Sequence, residues 1–287
     1  MEFGVVIPQN ELGSDLGLLN AVVDSAQESG FSHLLAYDHV LGADRQVHTE
    51  LIGPYGLDDS FHEPLTLFSY LAGRCSLGFA TAIVIAPQRQ TALLAKQAAQ
   101  VDLLSGGKFR LGLGVGWNPV EYEALAADFS SRGKRLTAQI EMLRALWTSP
   151  NVSLEGPNGE RVESAGLNPM PLQQPIPIWL GGESPAALDR IAALADGWFP
   201  MTIPGHGLEE KIETVHSQRA KLGRSGEPFG IEGQVRASMD GDKIRAQVEA
   251  WKTLGTTHLS INTLWQGEQT DHLGLISAAA EALRDYR

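Results

Sequence analysis

The most constraining feature of this sequence is an alternation that runs its full 287 residues. Short runs rich in β-branched and aromatic residues fall at 3–7, 33–37, 76–85, 109–113, 176–180, 197–200, 231–236 and 257–262. The stretches between them carry helical spacing. Leu94, Ala98, Val101 and Leu104 fall on one helical face, as do Leu136, Ile140, Leu143 and Trp147. Ser184-Pro185 reads as an N-cap followed by proline at the first helical position. Gly30 and Gly255 stand where helix-terminating glycines belong. Strands that alternate with helices must pair in parallel, because each helix is the crossover to the next strand. The strand runs are apolar on both faces, as a parallel sheet covered on both sides requires. Eight such units in under 300 residues fit a closed (βα)8 TIM barrel with loop insertions better than an open doubly wound sheet, the rival that composition leaves standing. Two gaps are long. One holds residues 40–62; the other holds an extra helix and residues 151–174, rich in Pro, Gly and Asn. Both read as loop insertions, so a single domain over residues 1–287 is expected.

Composition narrows the function classes. With 43% hydrophobic and 20% charged residues the chain is globular rather than disordered or fibrous. Its 34 acids against 22 bases give a net charge of −12, which repels nucleic acid and anionic lipid. The densest basic stretches, 132–135 and 219–224, are short and interrupted. Cys75 stands alone, so it forms no intrachain disulfide and no cysteine-rich metal site, and a buried thiol is expected. The opening residues show no secretory pattern. Residues 75–88 fall short of the ~20 apolar residues of a membrane helix and include Gly78 and Pro87. A cytoplasmic protein with neither membrane nor nucleic-acid partners is expected.

Several common chemistries lack their motifs. The eight histidines include no His-x-His or His-x-x-x-His pair, and no metal site is expected. Gly112, Gly114 and Gly116 follow a strand, but Trp117 stands where a dinucleotide fingerprint needs its third glycine. Neither a Walker loop nor a Gly-x-Ser-x-Gly elbow is present. In a barrel, chemistry collects at the C-terminal strand ends. That selects Gln9-Asn10, Asp38-His39, residues 82–87, residues 114–118, residues 181–184, Met201-Thr202 and residues 262–265.

Each candidate has a plain structural account beside its functional one. Gly181-Gly182-Glu183-Ser184 either lets backbone N–H groups approach an anion at a helix start or is a capped strand-to-helix turn. Asp38-His39 either orients a ligand and moves a proton or is a turn with a packed imidazole. Trp117 and Asn118 either stack on and hydrogen-bond to a flat ring or anchor a loop. The small, apolar segment 82–87 either backs an aromatic cofactor or belongs to the barrel core.

Taken together these segments resemble the bacterial luciferase-like superfamily of flavin- and deazaflavin-dependent oxidoreductases. The resemblance rests on residues 3–10, Ala36-Tyr-Asp-His39, Ala80-Thr-Ala-Ile-Val-Ile-Ala-Pro87 and the helical stretch 91–104. It continues through Ser105-Gly-Gly-Lys-Phe-Arg-Leu-Gly-Leu-Gly-Val-Gly-Trp117, Glu121-Tyr122 and Arg132-Gly-Lys-Arg135. Its most specific block is Pro177-Ile-Trp-Leu-Gly-Gly-Glu-Ser-Pro-Ala-Ala-Leu188 with Ala195-Asp-Gly-Trp-Phe-Pro200.

The resemblance implies a (βα)8 barrel, usually dimeric, that holds a flavin-type ring at its mouth. It is strongest to the branch that uses coenzyme F420, with FMN as the alternative. It implies a non-proline cis peptide at Ala82-Ile83 behind the ring, and Asp38 and His39 at the ring's reactive edge. Gly116, Trp117, Asn118, Gly181, Gly182 and Ser184 would line the cofactor's tail and phosphate. In the branch that oxidises sugar phosphates a catalytic glutamate follows the fourth strand; Pro119 stands there in this chain, and Glu121 is the nearest acid. The expected activity is F420-dependent hydride transfer to or from a small organic substrate, with His39 and Asp38 as catalytic residues. The alternatives are an FMN-dependent monooxygenase and a non-catalytic cofactor-binding protein on the same barrel.

Overall fold

Alternation within each strand builds a two-layered core. In the strand His33–Ala36, Leu34 and Ala36 pack outward against helices while Leu35 packs inward with Val6, Ala80, Trp179 and Phe199. The computed structural model describes residues 1–156, 159–266 and 270–286. In chain order the strands are β1 (Glu2–Val6), β2 (His33–Ala36), β3 (Gly78–Thr81), β4 (Val84–Ile85) and β5 (Phe109–Gly114). They continue with β6 (Val152–Glu155), β7 (Arg161–Ala165), β8 (Ile178–Gly181), β9 (Gly197–Phe199), β10 (Gly230–Arg236) and β11 (His258–Asn262). The helices are α1 (Gln9–Leu12), α2 (Leu16–Glu28), α3 (Pro64–Ala72), α4 (Thr91–Leu104), α5 (Pro119–Ala124) and α6 (Arg132–Thr148). Then come α7 (Pro185–Leu194), α8 (His206–Lys221), α9 (Gly241–Lys252) and α10 (His272–Ala282).

All neighbours in the order β3-β2-β1-β11-β10-β9-β8-β5 pair in parallel, and β3 also pairs with β5. That last pairing closes an eight-stranded barrel with helices between its strands, as the alternation predicts. The short β4 continues β3 beyond a break at 82–83 and pairs with the end of β5. The sequence-expected helical faces mostly hold. Leu136, Ile140, Leu143 and Trp147 are all buried, and the Trp147 indole donates to the Ala95 carbonyl, 3.0 Å away, tying α6 to α4. Leu104 departs from its face: it ends α4 and is exposed. Ser184 caps α7 with Pro185 in the first turn. Gly30 and Gly255 take left-handed φ of 74° and 73°.

Two expectations change. Residues 151–174 are not simply a loop, since β6 and β7 form an antiparallel hairpin there. Alternate residues Val152, Leu154 and Val162 lean on the main core while their neighbours face solvent. Cys75 is half-buried rather than buried. Among the described residues no helix is long and apolar enough to cross a membrane.

The barrel interior is polar at its N-terminal end. His33 Nε2 donates to Glu232 Oε1 (2.7 Å), Arg110 donates to the other Glu232 oxygen (2.7 Å), and Ser260 Oγ donates a third bond. A Cβ on Gly4 would lie 2.3 Å from the His33 ring, so only glycine leaves room for this inward imidazole. Arg110 also lies over the Trp179 ring at 4.4 Å.

Candidate functional site

Asp38 and His39 leave β2 at the opposite end, the mouth. Adjacent in sequence, they serve different partners. The buried Asp38 carboxylate accepts the Ile85 N–H (3.0 Å) and both Arg89 Nη groups (2.7 and 2.9 Å). Such a fork-to-fork pair is strong and directional. Burial works against the Arg89 charge, but the Asp38 carboxylate beside it outweighs this and holds the guanidinium more firmly protonated. Asp38 therefore clamps the outer half of the broken strand to the first turn of the next segment.

The His39 side chain is only 10% exposed, and it sits in an aromatic box. Its ring centroid lies 5.3 Å from Tyr55, 4.7 Å from Phe61 and 5.5 Å from Trp117. Its Nδ1 lies 3.2 Å from Glu121 Oε1, and among the described residues nothing bonds its Nε2. Glu121 is fully buried. It also accepts the N–H groups of Val40 (2.8 Å) and Leu41 (3.2 Å), with Gln88 Nε2 near its second oxygen at 3.4 Å. Burial alone would raise the Glu121 pKa. The His39 hydrogen bond and charge, with the Leu41 and Val40 amides, overcome it and lower the value. The arrangement is an ionised carboxylate that fixes one imidazole nitrogen and leaves the other for a proton.

Local sequence explains how Glu121 gets there. Asn118 caps α5 by accepting the Val120 N–H (3.0 Å), and Pro119 occupies the first turn. The Asn118-Pro-Val-Glu121 spacing puts the acid in the third helical position, where it turns back toward the chain and the helix dipole favours it. Residues 40–62 fold against the same wall, for a Cβ on Gly53 would lie 2.2 Å from the Trp117 ring.

The floor is the Ala82-Ile83 peptide, which is cis. The Ile83 side chain fills the space where a Cβ on Gly114 (2.5 Å) or Gly181 (3.1 Å) would sit. Gly116, at φ 63°, leaves similar room for Ile85. Bare backbone on β5 and β8 thus lets the floor lie flat. The rim turn Gly181-Gly182-Glu183-Ser184 leads into α7, and Ser184 Oγ accepts the Ala187 N–H at 3.2 Å. Glu183 faces away from ligand duty, accepting the Met201 and Thr202 N–H groups (2.7 Å each) and pairing with Lys211. Burial raises its pKa, but Lys211 and Thr202 prevail and lower it. On α1, just after the first strand, both amide atoms of Asn10 are buried without a partner.

The structure thus brings His39, Trp117, Asp38 and the 82–83 floor to one end, with Gly116 and Gly181 against that floor. Gly182 and Ser184 stand on the adjoining turn. Asn118 is buried at 2% exposure and serves as a helix cap rather than facing outward. Glu121, Arg89, Gln88, Tyr55 and Phe61 lie outside the expected residue set. For Glu121 the Asn-Pro-x-Glu spacing was the available signal; for the others the pairings span the fold. Among the described residues no group of three His, Cys, Asp or Glu side chains could hold a metal. The flat glycine-backed floor and the orphaned Asn10 amide fit a planar heterocycle with polar edges.

A family model described as luciferase-like monooxygenase matches residues 1–286. An uncharacterized protein of Mycobacterium tuberculosis is 37% identical over 145 residues, which are 50% of this chain and 49% of that protein. The chain therefore spans about half the length of that relative. The FMNH(2)-dependent dimethylsulfone monooxygenase of Pseudomonas putida is 28% identical over 237 residues, 81% of this chain and 61% of that protein. Among solved structures, an F420-dependent secondary alcohol dehydrogenase in complex with an F420-acetone adduct superposes with a TM-score of 0.78 at 13% identity, covering 100% of this chain and 99% of that one. At that identity the likeness concerns the fold.

Proposed function

The chain belongs to the luciferase-like monooxygenase family, and from that premise we propose that it is an F420-dependent oxidoreductase acting on a small organic substrate. One observation carries the reading: the His39–Glu121 pair stands beside the glycine-backed 82–83 floor, with Nε2 uncommitted. When bound there, the deazaflavin supplies hydride transfer at its C5. The chain supplies the rest. The 82–83 peptide and Ile83 support one face of the ring, and Trp117 walls the site. The turn 181–184, leading into α7, would hold the phosphate through backbone N–H groups, which suits an anionic group on an acidic protein. Interconverting a carbonyl and an alcohol moves a proton with each hydride; His39 Nε2 gives or takes it, and Glu121 keeps Nδ1 oriented and the imidazolium compensated. Asp38, through Arg89 and the Ile85 N–H, holds the floor in register. The same reading carries a homodimer of single-domain, cytoplasmic chains, which sedimentation and fractionation check.

A second reading, an FMN-dependent monooxygenase, draws on the likeness to the dimethylsulfone enzyme over 81% of the chain. Titration of the purified protein with F420 and separately with FMN, followed by tryptophan fluorescence, divides the two. Micromolar saturation by F420 with little response to FMN supports hydride transfer. The reverse preference, with oxygen consumed on adding reduced FMN, replaces it with the monooxygenase, and no binding of either removes both.

A further inference from the structure

The six most exposed large apolar residues described all stand on loops at the C-terminal strand ends. They are Ile52 (90%), Met201 (82%), Ile203 (77%), Val47 (72%), Met239 (68%) and Leu57 (63%). They come from three separate loops, after β2, β9 and β10. Isolated exposed apolar residues need no explanation, but their concentration at the end that holds the site does. Trp265, which follows β11 at the same end, is 55% exposed. Its backbone is left-handed, at φ 60°, which a bulky residue rarely adopts unless its surroundings enforce it. Two side chains do so: Glu11 Oε1 accepts the Trp265 N–H (2.7 Å), and Arg236 Nη2 donates to the Trp265 carbonyl (2.8 Å). Glu11 is itself held by His272 at 3.3 Å. Three elements therefore collaborate to fix the backbone of an aromatic residue that remains half in water.

The charges at this end point the same way. Arg89 is paired with Asp38 and Lys211 with Glu183, while Arg236 and Arg45 are held by backbone carbonyls of Trp265, Gly53 and Tyr55. Glu50 and Asp58 on residues 40–62 are exposed. The chain's net charge of −12, with these exposed acids on the rim, disfavours an anionic substrate.

We propose that the mouth takes an uncharged, predominantly apolar organic substrate, and that Trp265 is the residue that selects it. This rests on the oxidoreductase reading, since it names the substrate class for the same site. The test is equilibrium binding of neutral Nile red to the full-length chain, displaced by 2-octanone or by octanoate. Saturable binding, displaced better by the ketone than by the carboxylate by at least about tenfold, is expected. Trp265→Ala should weaken Nile red roughly fivefold, as loss of one aromatic contact does. The double variant Met201→Ser/Ile203→Ser should weaken it as well. Leu172→Ser, packed near Gly107 at the opposite end, should leave it unchanged. Unsaturable binding, equal displacement by octanoate, or equal weakening by Leu172→Ser overturns the proposal. So does dissociation of an oligomer by the mouth variants in sedimentation, which would make the apolar rim an interface between copies. The cofactor titration is read separately: dye binding that behaves as expected while F420 and FMN both fail removes the oxidoreductase reading and leaves an apolar site.

Discussion

The barrel carries a histidine–carboxylate pair at each end, and the two are built for opposite ends of a trade-off. At the N-terminal end, His33 and Glu232 are 2.7 Å apart, both buried, and the carboxylate is saturated by Arg110 and Ser260. At the mouth, His39 and Glu121 are 3.2 Å apart, and the imidazole's other nitrogen is uncommitted among the described residues. The same two side-chain types make a strut in which both His33 nitrogens and both Glu232 oxygens are bonded, and a second pair in which one imidazole nitrogen is left open. Residue identity alone does not separate these roles; the count of remaining partners does.

Breaking the strut should have the largest effect. Glu232→Ala leaves Arg110 and His33 facing each other without their carboxylate, and it should cost about 3–5 kcal/mol in denaturant unfolding. A loss below 1 kcal/mol would show that the two ends are not so different. Next, His39→Ala should lower turnover on the true substrate by about 100-fold or more while changing cofactor affinity far less. Because Glu121 acts through His39, adding Glu121→Gln to that variant should cost little further turnover, whereas additive losses would give Glu121 a separate role.

Acid sharpens the contrast. Burial, then the Arg110 charge, push His258 at the strut end from 6.5 down to about 3. Between those values the unfolded chain binds a proton that the folded chain does not, so this group erodes stability as pH falls from 6.5 toward about 3. Burial would raise Glu232, but Arg110 and His33 hold it well below the carboxylate range, so its contribution is present above that range and lost on further acidification. His258→Asn should flatten the upper part of the melting-temperature profile; a profile parallel to the parent's would remove His258 from the account. The smallest effect is expected at Asn10, whose amide is buried and unpaired. Asn10→Ala should leave stability unchanged or raised and weaken cofactor binding roughly three- to tenfold, the size of one hydrogen bond.

The barrel was legible because parallel strands must be apolar on both faces, a pattern that survives in short runs such as 33–37 and 257–262. The hairpin of β6 and β7 was not, since only Val152, Leu154 and Val162 lean on the core and the surrounding turn residues mask their alternation. Leu104 shows the limit of periodicity: spacing places a residue on a face, but helix length decides whether that face still meets the core. At the site, the ends of β2, β3 and β5 could be read as one rim. The pairings could not. Asp38 and His39 suggest each other by adjacency, yet Asp38 binds Arg89, 51 positions on, and His39 binds Glu121, 82 positions on. Consecutive side chains at a strand end diverge, so their partners are set by closure of the barrel.

Glu121 holds the start of the 40–62 segment by the N–H groups of Val40 and Leu41, not by their side chains. Backbone amides are present at almost any residue, so the clamp places little demand on what is written at those two positions. The exposed apolar residues further along the segment can therefore be exchanged while its root stays fastened to the carboxylate that bonds His39. Change in the segment is thereby uncoupled from the geometry of the His39–Glu121 pair.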